Sequence, residues 1–335
     1  MPRRRVLVGR GRSRLLTALA AVALVTLAGC GGGRGGAASG RLSVVATTTQ
    51  LADFARNVGG DRVEVTGILK PNVDAHDYEP SPADIDAIAR ADVLVENGVG
   101  LEQWLAPVVS AADFHGERVD TSAGVRLLAG EEEHGGQPGT VAAEAPSGDA
   151  AAGAAGDVPK DPHIWQSPVN AKVMVGNIER ALAAADPRGA GTYEANADRY
   201  AERLDRLDKE VAAQIATLTN KKLVTNHDAF NYYVDRYHLE FVGSIIPSFD
   251  TSAELSAREV DDLVARIRAT GVKAIFSETS LPPETARTIA SEAGVKVVTG
   301  DQALYGDSLG PAGSDGGTYI DAIRHNTRTI VDNLR

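Results

Sequence analysis

The chain has 335 residues, 43% of them hydrophobic and 24% charged, enough for about two domains with cores of their own. Its 45 acidic and 34 basic residues leave a formal net charge of −11, and without the six arginines of residues 1–14 the remainder sits near −17. That field repels phosphate backbones and anionic lipid, which excludes nucleic-acid binding and polybasic membrane docking and favours cationic ligands.

A single cysteine excludes an internal disulfide framework and a thiolate metal cluster. Imidazole and carboxylate are then the good metal donors left, and the seven histidines become the residues to follow. In chain order, Leu15–Leu27 is an apolar run behind a basic start, too short to span a bilayer and suited to a secretory signal. Leu27-Ala28-Gly29-Cys30 resembles the lipobox of bacterial lipoproteins. The resemblance implies that residues 1–29 are removed and that Cys30 is lipidated. Several acyl chains at about 0.8 kcal/mol per buried methylene would then hold the protein to the extracytoplasmic face of the cell membrane. Residues 30–40, rich in glycine, read as a flexible tether.

From Leu42 onward, short β-branched runs alternate with helical stretches, the pattern of an α/β protein. Strands are expected at Leu42–Ala46, Arg62–Leu69 and Asp92–Glu96, and helices from Thr48 or Thr49 through Val58, at Ser81–Ala91 and at Leu101–Ala111. Gly130–Lys160 has hardly any large apolar side chain and reads as a disordered, acidic surface insertion. A helix follows at Pro168–Ala185. Tyr193–Leu218 has no Gly or Pro and carries apolar residues at helical spacing, which predicts one long amphipathic helix. Strands resume at Lys222–Thr225, Phe241–Ile246, Ala274–Ser277 and Val295–Val298, with helices at Ala229–Tyr237, Ala257–Thr270, Pro283–Ala293 and Tyr319–Leu334. The reading is two α/β lobes, 41–190 and 220–335, joined by a rigid helix within 191–219. Each lobe is expected to hold a four-stranded parallel-type sheet flanked by helices.

Three histidines stand in short polar segments where strands are expected to give way to loops: Asp74-Ala75-His76-Asp77-Tyr78, Asp161-Pro162-His163-Ile164-Trp165 and Asn226-His227-Asp228-Ala229-Phe230. In α/β sheets that end faces the ligand crevice. These segments, continuing into Glu79-Pro80-Ser81-Pro82 and Ser167-Pro168-Val169-Asn170, together with Leu304-Tyr305-Gly306-Asp307-Ser308-Leu309, resemble the zinc- and manganese-binding lipoproteins that feed ATP-driven metal importers. The resemblance runs from about Leu42 to Leu334. It implies two lobes bridged by a single helix, with His76 and His163 as metal ligands from the first lobe and His227 and Asp307 from the second. Asp301 is the alternative carboxylate, in surroundings that match less well. It also implies a permease and a separate ATPase as partners, since this chain has no Walker motif. A monomer is expected.

Three neutral imidazoles and one carboxylate suit tetrahedral Zn²⁺, whereas Mn²⁺ prefers more oxygen. In the manganese-binding members the third ligand is typically glutamate, and here it is His227, so zinc is favoured with manganese the alternative. Four protein ligands leave no position for an activated water, which argues against a secreted zinc-dependent hydrolase, the reading from another class. Neither His-Glu-x-x-His nor Gly-x-Ser-x-Gly occurs. No enzyme activity is expected. Asp228 and Glu278 are the candidates for orienting the ligand imidazoles. Trp165 and Phe230 are expected to wall the cleft. Surface or packing roles are expected for His115, His238 and His325, and His134 lies in the acidic insertion.

Overall fold

The computed structural model describes residues 40–129, 158–253 and 256–335. The expected signal segment, Cys30, nearly all of the tether, His134 and most of the acidic insertion lie outside the described residues. In the first half, β1 (Leu42–Ala46), α1 (Thr49–Gly59), β2 (Val63–Gly67), α2 (Pro82–Ala89), β3 (Val93–Glu96), α3 (Leu105–Ala111) and β4 (Glu117–Asp120) precede α4 (Pro168–Ala185). Then comes α5 (Ala190–Ile215). The second half holds β5 (Lys222–His227), α6 (Asn231–Tyr237), β6 (Glu240–Ile246), α7 (Ala257–Thr270), β7 (Ala274–Phe276), α8 (Glu284–Ala293), β8 (Lys296–Val298) and α9 (Tyr319–Leu334).

Each half builds a four-stranded, all-parallel sheet, ordered β2-β1-β3-β4 and β6-β5-β7-β8. Val44 pairs with Val65 on one side and Val93 on the other, so the central strands are apolar on both faces, as helix-covered parallel sheets require. In both sheets the order reverses beside the first strand. The crevice at the carboxyl ends of such strands is where ligands gather.

The helices begin and end where the local chemistry dictates. The Thr48 hydroxyl accepts Leu51 N–H to start α1, and Ser81 with Asp84 forms a capping box around Pro82 to start α2. Gly271 and Gly294, both left-handed, close α7 and α8. In α5 the residues Tyr193, Ala197, Tyr200, Leu204, Leu207, Val211 and Ile215 make a buried stripe at spacings of three and four. At about 1.5 Å per residue the helix is about 39 Å long. It packs on α4 and α1 from the first half and on α9 from the second. One apolar cluster accordingly runs from Val44 and Phe54 through Leu204 and Leu207 to Phe276 and Leu334.

Several details differ from the sequence expectation, among them the starts of β2 at Val63 and of α6 at Asn231. Leu101 does not open a helix, because Gly98, Val99 and Gly100 all take positive φ and the turn delays α3 to Leu105. The edge strand β4, Glu-Arg-Val-Asp, is largely exposed and lacks an apolar alternation to announce it. The long helix spans Ala190–Ile215 rather than Tyr193–Leu218, entering through a tight turn at Pro187–Gly189.

Candidate metal centre

Each candidate ligand is held by its own local architecture. His76 lies in the loop between β2 and α2, where Asp74 Oδ1 accepts its backbone N–H at 2.9 Å and Trp104 Nε1 donates to Ala75 O at 3.4 Å. Downstream, the Tyr78 hydroxyl donates to Asp84 Oδ2 at 2.8 Å, the same carboxylate that caps α2, so Tyr78, Ser81 and Pro82 pin the far end of the loop. His163 does not follow a strand as expected; it enters the short turn Ile164–Gln166 that leads into α4. That segment is fixed by Asn97 Nδ2, which donates to Pro162 O at 2.9 Å, and by the Tyr232 hydroxyl, which donates to Asp161 O at 2.9 Å. His227 is the last residue of β5.

Asp307 sits in the segment after β8. Trp165 Nε1 and Gln166 Nε2 each donate to Gly306 O at 3.1 Å, and Asn326 brackets Tyr305 by accepting its N–H and donating to its carbonyl, both at 2.8 Å.

These four side chains converge. His76 Nε2 and His163 Nε2 are 3.1 Å apart, and His163 Nε2 and His227 Nε2 3.4 Å. Asp307 places Oδ2 at 3.5 Å from His76 Nε2 and 3.2 Å from His227 Nε2, and Oδ1 at 3.4 Å from His163 Nε2. Donors bound at about 2.0–2.1 Å at the corners of a tetrahedron are separated by about 3.3–3.4 Å. The side chains of His163, His227 and Asp307 are 0% exposed and that of His76 4%.

The hydrogen bonding behind the rings decides what faces the centre. Asp161 Oδ1 accepts from His163 Nδ1 at 2.7 Å, and Glu278 Oε1 from His227 Nδ1 at 2.9 Å. With Nδ1 donating outward, the neutral form of each ring presents an Nε2 lone pair inward. Both oxygens of Asp307 are buried without a hydrogen-bond partner among the described residues. Converging lone pairs and an unpartnered carboxylate repel one another unless a cation lies between them.

The titration tendencies agree. Burial alone would raise the Asp307 carboxyl, but His227, His163 and His76 outweigh it and hold it well below the usual carboxylate range. Burial would lower His227, yet Asp307 and Glu278 raise it well above the usual imidazole value. For His76, burial dominates and the other two imidazoles add to it, against the pull of Asp307, so its proton is bound less tightly than usual.

Glu278 thus stands behind a ligand ring. The expectation for Asp228 differs: its carboxylate accepts from Asn231 Nδ2 at 2.8 Å, and the carboxylate behind His163 is Asp161. The signal for Asp161 was its place two residues before a histidine, which lets one oxygen reach both the backbone N–H and Nδ1. Asp301 is exposed in the turn Gly300–Gln302 and is not in the cluster. Trp165 lies beside the centre, its ring centroid 5.4 Å from that of His163, while Phe230 is buried in the shared apolar core. His115 and His238 are exposed, and His325 packs against Tyr305 while donating to Ala303 O at 3.0 Å. The cluster of His76, His163, His227 and Asp307 is the one group of metal-ligating side chains found among the described residues.

Comparison with known proteins points the same way. The family model described as zinc-uptake complex component A, periplasmic (ZnuA), matches residues 44–333. The manganese-binding lipoprotein MntA of Bacillus subtilis is 33% identical over 325 residues, covering 95% of this chain and 98% of that one. The manganese ABC transporter substrate-binding lipoprotein PsaA of Streptococcus mitis is 27% identical over 324 residues, covering 93% and 96%. Among solved structures, the periplasmic zinc-binding protein TroA from Treponema pallidum superposes with a TM-score of 0.76 at 26% identity, covering 88% of this chain and 99% of that one. With nearly the whole described fold matched and a buried four-donor cluster at its crevice, the chain belongs to the ZnuA family of metal-transporter substrate-binding components, which are not enzymes.

Proposed function

We propose that the protein is a lipid-anchored receptor that captures Zn²⁺ between its two lobes and delivers it to the permease of an ABC importer driven by a separate ATPase. The observation that carries the reading is the buried convergence of three imidazole nitrogens and one carboxylate, with separations of 3.1–3.5 Å. His76, His163, His227 and Asp307 are the ligands, and Asp161 and Glu278 orient two of the rings. Four protein donors fill a tetrahedral sphere and hold the ion as cargo. Nanomolar retention corresponds to about 12 kcal/mol, so release is helped by the permease. A helix shared by both lobes limits the motion to a tilt or a local loop shift.

Manganese is the second reading, favoured by the names of the relatives MntA and PsaA. The nitrogen-rich donor set supports zinc over it. Elemental analysis of protein purified without chelator, followed by competition between the two ions, separates the readings. Zinc at about one per chain that excess Mn²⁺ fails to displace supports the proposal, and displacement by Mn²⁺ overturns it.

Anchoring through Cys30 at the extracytoplasmic face accords with the lipoprotein names of the relatives. No helix among the described residues is long and apolar enough to cross a membrane. Cys30→Ser is expected to move the protein from the membrane fraction to the soluble fraction, and unchanged fractionation would remove the anchor from the proposal.

A further inference from the structure

Asp74 and Asp161 open two Asp-x-His segments of the same build. In each, Oδ1 accepts the backbone N–H of the histidine two residues on, at 2.9 Å. At Asp161 the same oxygen also takes the ring Nδ1. Asp74 turns its other oxygen away from its histidine, and the Thr251 hydroxyl donates to that Oδ2 at 2.6 Å. Among the described residues no carboxylate stands behind the ring of His76 as Asp161 and Glu278 do behind His163 and His227, and of the four candidate ligands it alone keeps residual exposure.

Thr251 belongs to the strap 247–253 that follows β6. Next to His227, Asp228 N–H donates to Ser248 O at 3.3 Å and ties the start of the strap to one ligand loop. Phe249 lies with its ring centroid 6.2 Å from that of His163. Thr251 then ties the strap to the loop of His76. Within the strap, Asp250 N–H donates to Ser248 Oγ at 3.0 Å and Ser252 N–H to Asp250 Oδ1 at 2.9 Å, so it is internally braced. The braced segment thus ties the loop of His227 to the loop of His76, the ligand that keeps residual exposure.

We propose that the Thr251–Asp74 hydrogen bond is a latch that holds strap 247–253 across the His76 side of the site and sets the rate at which the ion leaves. The inference rests on reading the four-residue cluster as a divalent-metal site. A hydroxyl-to-carboxylate bond of this length is of the charge-assisted kind, and the strap opens seldom while it is made. His76, unsupported behind its ring, is the ligand freed when it breaks.

The test is zinc release from the mature chain into excess chelator, followed by stopped flow, for the wild type, Thr251→Val and Thr251→Ser. Thr251→Val removes the donor at nearly constant shape and is expected to speed release about tenfold or more. Thr251→Ser keeps the donor and is expected to stay within about twofold of the wild type. In the metal-free protein, hydrogen exchange at residues 74–78 should quicken in Thr251→Val alone. Release from Thr251→Val at the wild-type rate, or from Thr251→Ser as fast as from Thr251→Val, overturns the latch. A wild type that holds no stoichiometric zinc overturns the reading of the site instead, and the exchange comparison still decides the latch.

Discussion

Glu278 Oε1 accepts both the backbone N–H of His227, at 3.0 Å, and its ring Nδ1, at 2.9 Å. One oxygen thus sets the main chain and the imidazole together, and Asp161 does the same for His163. Such carboxylates fix the tautomer and raise the basicity of the inward nitrogen. Glu278→Ala is therefore expected to weaken zinc binding by about 10–100-fold, measured by competition with a chelator of known affinity. An affinity equal to that of the wild type would remove Glu278 from the site.

Gly306 bears on the same pair. A Cβ at this position would stand 1.9 Å from Glu278 Oε2, deep in a packed region where the carboxylate has little freedom to withdraw. Gly306→Ala is expected to displace Glu278, lower stability by about 1–3 kcal/mol and weaken zinc binding together with it. Denaturant melts and chelator competition on the same sample would check both parts.

Binding of zinc to the folded chain should raise its melting temperature by mass action, by about 2.7 kcal/mol at a free concentration of one hundred times Kd. His163→Ala and Asp307→Asn are each expected to abolish that rise, while Asp301→Asn leaves it intact. A zinc-dependent shift surviving in His163→Ala would contradict the ligand assignment.

The pH dependence has a defined sign. His227 in the metal-free fold holds its proton more tightly than a free imidazole, so that proton stabilises the metal-free fold fully below the ordinary histidine value of about 6.5. The contribution is lost as pH rises through the elevated folded value. Zinc needs the neutral ring and competes with that proton. Apparent affinity should therefore climb from pH 5 to pH 8, with the zinc-dependent melting shift growing in parallel. A titration flat across that range would count against imidazole ligation.

Much of the fold is legible in the sequence because its boundaries are chemically marked. Pro168, Ser256 with Glu259, and Thr318 start α4, α7 and α9 at the residues where those helices are expected. The polar strand β4 is not legible, since it is defined by pairing with β3 rather than by apolar residues of its own. Within the site, the histidine segments and Asp307 carry recognisable neighbours. Which carboxylate stands behind which ring is a matter of three-dimensional direction. Asp228 follows the end of a strand, so its side chain leaves on the side opposite to that of His227 and meets Asn231. Asp161 looks like an ordinary turn residue until the chain folds it back onto His163.

The apolar cluster that passes through α5 has a consequence for how the molecule comes apart. Leu204 and Leu207 contribute to the same interior as Val44 and Leu334, so the shared core couples the two sheets even though each also carries a smaller cluster of its own, around Ile88 and Leu94 and around Leu263 and Ile275. Heating should then melt both sheets in one cooperative calorimetric transition, and a cavity cut beneath either sheet would lower the midpoint of the whole.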